Sequence, residues 1–146
     1  MIFPNSVNGS FTTEERTRLG RSFVFDFETG QTQVVGGVVQ ETTELQAAKQ
    51  WIELLVRTTL DKYVVYKGTG FGTSIHRYIG YRSLPFGFIE SEFQREVEEG
   101  AQLNPAIEGI SNFVLTRTTR GLIVEFTVNM INKDIFGMVI NTDGIY

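Results

Sequence analysis

With 146 residues and no cysteine, the chain is long enough to bury roughly 70% of its unfolded surface in one domain, and it excludes disulfides and thiolate metal sites. The formal net charge is −4, which leaves no basic footprint for nucleic acid. No apolar run approaches the ~20 residues that cross a bilayer, so a membrane partner is not expected either.

Residues Met1–Gly20 are polar and carry Pro4, Gly9 and Gly20, which predicts an extended N-terminal arm over residues 1–20. The start, Met1-Ile2-Phe3-Pro4-Asn5, lacks a basic stretch followed by an apolar core and does not read as a secretory signal. Arg16, Arg18 and Arg21 lie beside Glu14 and Glu15, a mixture that fits a solvated segment better than a phosphate clamp. Phe23, Phe25 and Phe27 then alternate with Val24 and Asp26, the period of a strand. Glu28-Thr29-Gly30 is a turn, and Gln33–Val39 a second strand in which Gly36-Gly37 marks a bulge or an end. Together they predict an N-terminal hairpin.

Thr43, with Gln46 three residues on, has the spacing of a capping box. The helix it opens carries Leu45, Ala48, Ile52 and Leu55 on one stripe, widened by Trp51 and Val56. Trp51 reads as a core anchor rather than a stacking platform. Tyr63-Val64-Val65-Tyr66 is a short β-prone run. A glycine turn, Gly68-Thr69-Gly70-Phe71-Gly72, leads to a short helical piece at Ser74–Tyr78. Pro85 suits the first turn of the next helix, where Ile89, Phe93 and Val97 make a narrow buried stripe. Glu90, Glu92, Glu96, Glu98 and Glu99 make that helix acidic, Arg95 can pair with Glu99, and Gly100 stops it. After the corner Asn104-Pro105-Ala106-Ile107 come strands at Ile110–Arg117 and Leu122–Ile131, joined by a turn at Thr118–Gly121. Leu122, Val124, Phe126, Val128 and Met130 share one face of the last strand. Ile135–Ile140 is either a closing strand or a β-prone tail.

The fold class this order predicts is α+β: an antiparallel sheet built from the N-terminal and C-terminal hairpins, with two main helices packed on one side. The expected organisation is an arm over 1–20, an α+β domain over 21–132 and a β-prone tail over 133–146.

Catalytic patterns fail in detail. The glycine turn has no Gly-Lys-Ser/Thr and no full G-x-G-x-x-G, so it reads as a backbone turn needing unusual φ rather than a phosphate cradle. His76 is the only histidine, which disfavours a zinc site, and no G-x-S-x-G accompanies it. Glu92 and Glu96, one helical turn apart, are the single carboxylate pair worth weighing for glycoside hydrolysis, but they crowd with Glu98 and Glu99 on a face that reads as solvated. The expectation is no enzyme, no cofactor and no metal.

The order of elements from Phe23 to Ile131 resembles the small baseplate wedge protein of contractile phage tails. That family is also called the sheath initiator and was historically labelled tail lysozyme-like. The resemblance is carried by Gly70-Phe71-Gly72-Thr73-Ser74, Ile79-Gly80, the acidic helix at Ser91–Glu99, the Asn104-Pro105-Ala106-Ile107 corner and the strand pair. It departs from the family in having Lys67-Gly68-Thr69 near the place of a Glu-Pro-Arg element that docks the wedge core.

The resemblance implies a virion structural protein of the tail baseplate, assembled in the host cytoplasm. Such a subunit connects the wedge to the first sheath ring and templates sheath polymerisation by β-strand addition. Its implied partners are the sheath protein, other baseplate wedge proteins, and tail tube or hub proteins. The candidate sheath contacts are Leu122, Ile123, Val124, Glu125, Phe126, Thr127, Val128, Asn129, Met130 and Ile131, with Ile135–Ile140 as a second stretch. The candidate wedge contacts are Lys67, Gly68, Thr69, Gly70, Phe71 and Gly72. Two rival readings stand beside this one: a peptidoglycan hydrolase, and the equivalent subunit of a type VI secretion or other contractile injection system.

Overall fold

A computed structural model of the protein describes residues 22–80 and 83–142. The expected arm, with its arginine cluster, and the last residues of the expected tail lie outside the described residues.

The described part opens with two small ribbons. β1 (Phe25–Asp26) pairs with β2 (Gln31–Thr32). The turn between them is set by Asp26, whose Oδ1 accepts the N–H of Glu28 at 2.8 Å and of Thr29 at 3.2 Å. β3 (Val34–Val35) pairs with β4 (Val38–Val39) around Gly36 and Gly37, at φ 60° and 78°. Two consecutive left-handed residues make the tight hairpin turn that suits strand twist, and glycine supplies both without steric cost. Gln33–Val39 is therefore not one interrupted strand but a hairpin of its own.

Neither ribbon joins the main sheet, so the expected single sheet from both hairpins does not form. The strands are two residues long, and their backbone groups are already used. Val24 donates to Gln40 O at 2.8 Å and accepts from Gln33 N at 2.9 Å. Phe25 N donates to Gln50 Oε1 at 2.7 Å, and Gln50 Nε2 donates to Phe23 O at 2.9 Å. The ribbons are thus moored to a helix side chain rather than to a sheet.

That helix is α1 (Glu44–Arg57). Thr43 and Gln46 close the capping box, with Gln46 N donating to Thr43 Oγ1 and Thr43 N to Gln46 Oε1. Its buried stripe is Ala47, Ala48, Ile52, Leu55 and Val56. Tyr63–Tyr66 does not extend as a strand; Val64–Tyr66 is a single 3-10 turn. Only Tyr66 packs inward, whereas Val64 is 91% exposed, and among the described residues no strand pairs with the run to hold it extended. α2 (Ile75–Gly80) follows, then α3 (Phe86–Ala101), which buries Ile89, Phe93, Val97, Gly100 and Ala101.

Asn104 closes α3 and launches the sheet. It is 2% exposed, its Oδ1 accepts Ala106 N at 3.0 Å, and its own carbonyl accepts Ile107 N at 3.1 Å. β5 (Ile107–Arg117), β6 (Leu122–Met130) and β7 (Ile135–Asn141) then form an antiparallel sheet in the order β5-β6-β7. Of the two readings of Ile135–Ile140, the strand is the one that forms. Leu122, Val124, Phe126, Val128 and Met130 are all buried, joined by Leu115 from β5 and by Phe136, Met138 and Ile140 from β7. The apolar stripes of α1 and α3 complete this core on the same side of the sheet. The class is α+β, as its element order predicts.

Candidate functional site

The exposed backbone of a sheet edge is the first place to look for a partner, and the three strands differ sharply. β6 is central. It pairs with β5 from Ile107↔Met130 to Arg117↔Leu122 and with β7 from Ile123↔Asn141 to Asn129↔Ile135. Its even-numbered side chains are buried, and Asn129 Nδ2 donates to Ser111 Oγ at 3.2 Å across the other face. Ile131, just past the strand, donates its N–H to Ala106 O at 3.0 Å. Strand addition along Leu122–Ile131 therefore has no free backbone to use. A strand could be added along Leu122–Ile131 only if β5 or β7 gave way; Ile135–Ile140, the second candidate stretch, is the strand that encloses it on one side.

β7 is an outer strand. At its ends, Met130 N donates to Asp134 O at 2.8 Å and Thr142 N to Leu122 O at 3.0 Å. Antiparallel pairing alternates, so even-numbered residues turn their backbone groups toward β6. Ile135, Gly137 and Val139 turn theirs outward, where no strand lies among the described residues. Their side chains alternate with them: Phe136, Met138 and Ile140 are buried, while Ile135 and Val139 are 67% and 68% exposed. The strand has no charge, no proline and no bulge.

β5, the opposite edge, is built differently. Its register shifts between Ile107 and Gly109 and again between Ser111 and Val114, with Asn112 at φ 53°. It also carries Glu108 and Arg117. Bulges and charges are the devices by which sheets discourage pairing at an edge. One edge carries both devices; the other, among the described residues, carries neither.

The glycine turn divides into two halves. Lys67, Gly68, Thr69 and Gly70 are exposed, with Gly68 and Gly70 at φ 77° and 78°. Phe71 is buried, 5.3 Å edge-on from Trp51 and 4.7 Å from Tyr66 between ring centroids. Trp51 is thereby part of the packing, as expected. Gly72 is buried at φ 127°, and a Cβ there would lie 2.9 Å from Thr58 O and Leu60 N. Thr73 then ties the turn to α1, donating its N–H to Thr58 O at 2.8 Å and its hydroxyl to Val56 O at 2.8 Å. The turn is a backbone device of unusual φ; its outer half faces solvent and its inner half is core.

The acidic helix is not one solvated face. Glu96 Oε2 accepts Ser74 N at 2.8 Å and Oε1 accepts the Tyr78 hydroxyl at 3.3 Å, so this carboxylate points at the start of α2. Burial, followed by the Glu96 charge, raises the Tyr78 pKa above its ordinary value. Glu92 pairs with Arg95 at 2.9 Å, and Arg95 also holds Glu99 at 3.0 Å. The hydrogen bonds that Arg95 donates to Glu92 and Glu99 raise its already high pKa further. Glu92 and Glu96 thus hold different partners, an arginine for one and the start of α2 for the other.

An open cleft of about 730 Å³ lies beside β7, touched by Val139, by both ribbons and by Glu53 of α1.

Residues 21–133 match the family described as contractile injection system sheath initiator. The match takes in both ribbons, all three helices, β5 and β6, and ends just before β7. No curated protein matches the chain significantly.

Proposed function

The chain belongs to the contractile injection system sheath-initiator family, and from that premise we propose that it stands on a baseplate wedge and receives arms of the first sheath ring as strands added along β7. Membership makes it a structural component of such a machine and implies contact with sheath protein. The observation that supports the finer reading is the asymmetry of the sheet's edges. β5 is bulged and charged, whereas β7 offers the backbone of Ile135, Gly137 and Val139 along an unbulged, uncharged strand.

Strand addition draws its affinity from backbone hydrogen bonds and its selectivity from alternate side chains. Each bond contributes roughly 1 kcal/mol net. A single added strand is therefore a modest contact, and several copies engaged at once around a tail would hold a ring by avidity. A regular, unguarded edge is ordinarily an aggregation hazard, and here it is the means of nucleation. The exposed half of the glycine turn, Lys67 to Gly70, is the wedge-facing candidate that remains open to a partner. The subunit needs no catalysis for this task.

Val139→Pro tests the reading. Val139 turns its N–H outward, so proline removes an offered donor without taking a bond from β6. The variant is expected to keep the wild-type circular dichroism spectrum and to lose co-purification with the sheath protein encoded beside it. A folded variant that still co-purifies overturns strand addition at β7. Neighbouring capsid and terminase genes would assign the machine to a phage tail; secretion genes would assign it to another injection system.

A further inference from the structure

We propose that the arm received at β7 is a basic one, selected by an acidic wall that the N-terminal ribbons raise beside the edge; the inference rests on strand addition at β7. Glu53 lies on the helix-covered side of the sheet, and the Val139 side chain on the opposite face. A cleft touched by both sits at the sheet's edge, where an added strand would run. Its far wall is the first ribbon, including Phe25, Asp26, Phe27 and Glu28.

The charges in this cleft are of one sign. Asp26, Glu28 and Glu53 line it, and among the described residues no lysine or arginine does. Glu53 is neutralised by Arg57 at 2.9 Å, an arginine that also lies over the Phe27 ring at 5.5 Å. Asp26 and Glu28 have no such cation among the described residues. The backbone N–H groups of Glu28 and Thr29 hold the Asp26 carboxyl below the usual carboxylate range, so it is ionised at neutral pH. Phe25 and Phe27 stand beside these acids, 5.0 Å apart edge to face. The complement of such a wall is an extended segment in which lysine or arginine alternates with apolar residues.

The ribbons themselves argue for a role of this kind. None of their residues enters the hydrophobic core among the described residues, and Val34, Val35 and Val38 are all more than half exposed. Yet their position is fixed by the paired Gln50 hydrogen bonds and by the Arg57–Phe27 contact. They add little to the core and hold a definite wall.

The test measures binding of the sheath protein encoded beside this gene to the full chain, at low and high salt. The wild type is compared with an Asp26→Asn, Glu28→Gln double variant and with Val139→Pro. Asparagine keeps the Oδ1 acceptor, so the Asp26 turn survives. Neutralising these two exposed acids is expected to weaken binding about fivefold at about 50 mM salt, and the difference is expected to vanish by about 500 mM salt. Val139→Pro is expected to lose binding at both. A double variant that binds like the wild type at low salt, or is weakened equally at both salts, overturns the acidic wall even if Val139→Pro still fails to bind. A folded Val139→Pro variant that binds normally overturns strand addition, and the wall with it. If Val139→Pro does not fold, the salt dependence of the double variant decides alone.

Discussion

Glu96 accepts the backbone N–H of Ser74 at 2.8 Å, so the long acidic helix caps the short one. α2 is only one and a half turns long and brings little stability of its own. A carboxylate from α3 completes its first turn by taking an otherwise orphan donor. Glu96→Ala is expected to cost about 1–2 kcal/mol, read as a lower urea midpoint at unchanged slope. Glu96→Gln keeps an acceptor and should cost less than half of that.

The same contact has a consequence at high pH. With its folded pKa above the unfolded value of 10.0, Tyr78 binds its proton more tightly in the folded protein. That contribution is fully present below pH 10 and is lost as pH rises through the folded pKa. Burial is the larger cause and Glu96 the next, so Glu96→Gln should bring the Tyr78 titration part of the way back toward 10. Carbon NMR of labelled tyrosine, followed through pH, checks it; an unmoved Tyr78 would remove Glu96 as a cause.

Hydrolysis of cell wall makes a sharp negative prediction. Glu92 and Glu96 face different partners, so the purified protein is expected to leave a peptidoglycan suspension turbid, and a Glu92→Gln, Glu96→Gln variant to behave identically. Clearing by the wild type that the variant lacks would restore the hydrolase reading.

The glycine turn predicts unequal penalties. At Gly70 a Cβ meets open space, and the cost of alanine is the left-handed backbone alone, about 1–2 kcal/mol. At Gly72 the same strain is joined by backbone atoms of Thr58 and Leu60 at 2.9 Å, which cannot swing aside as a side chain does. Gly72→Ala is expected to cost about 3 kcal/mol or more and to detach the turn from α1. Equal midpoints for the two variants would contradict this.

What is legible in the sequence follows from the range of the forces involved. The capping box at Thr43, the i, i+4, i+8 stripe of Ile89, Phe93 and Val97, and the alternation from Leu122 to Met130 are local patterns, and each forms as read. Gly36-Gly37 misleads because one strand with a bulge and two strands with a turn have nearly the same composition; the two left-handed φ values decide it. Glu96 groups with Glu98 and Glu99 by helical spacing, and only packing against α2 reveals its different partner. The open edge is the hardest feature to read. Hydrophobic alternation announces that β6 is a strand but not which neighbours it has, and the short, Gly-interrupted Ile135–Ile140 carries a weak signal of its own. Once β7 pairs, the strongest strand in the sequence becomes the one least available to a partner.

That reversal yields the last prediction. Val128 and Val139 are both valines in strands of one sheet, and proline at each removes one N–H. By the alternation of the β6–β7 pair, Val128 directs its N–H to Phe136, and its side chain is fully buried. Val128→Pro therefore breaks a ladder bond, forces a ring into the core, and is expected to cost about 3 kcal/mol or more. Loss of partner binding in that variant would report only unfolding. Val139 sits on the outer strand with its N–H outward, and Val139→Pro is expected to shift the urea midpoint only slightly. The two variants thus separate stability from recognition: the central one should unfold early, and the edge one should stay folded and fail to bind. If Val139→Pro unfolded as readily as Val128→Pro, the outward orientation of the β7 backbone would be wrong, and the edge with it.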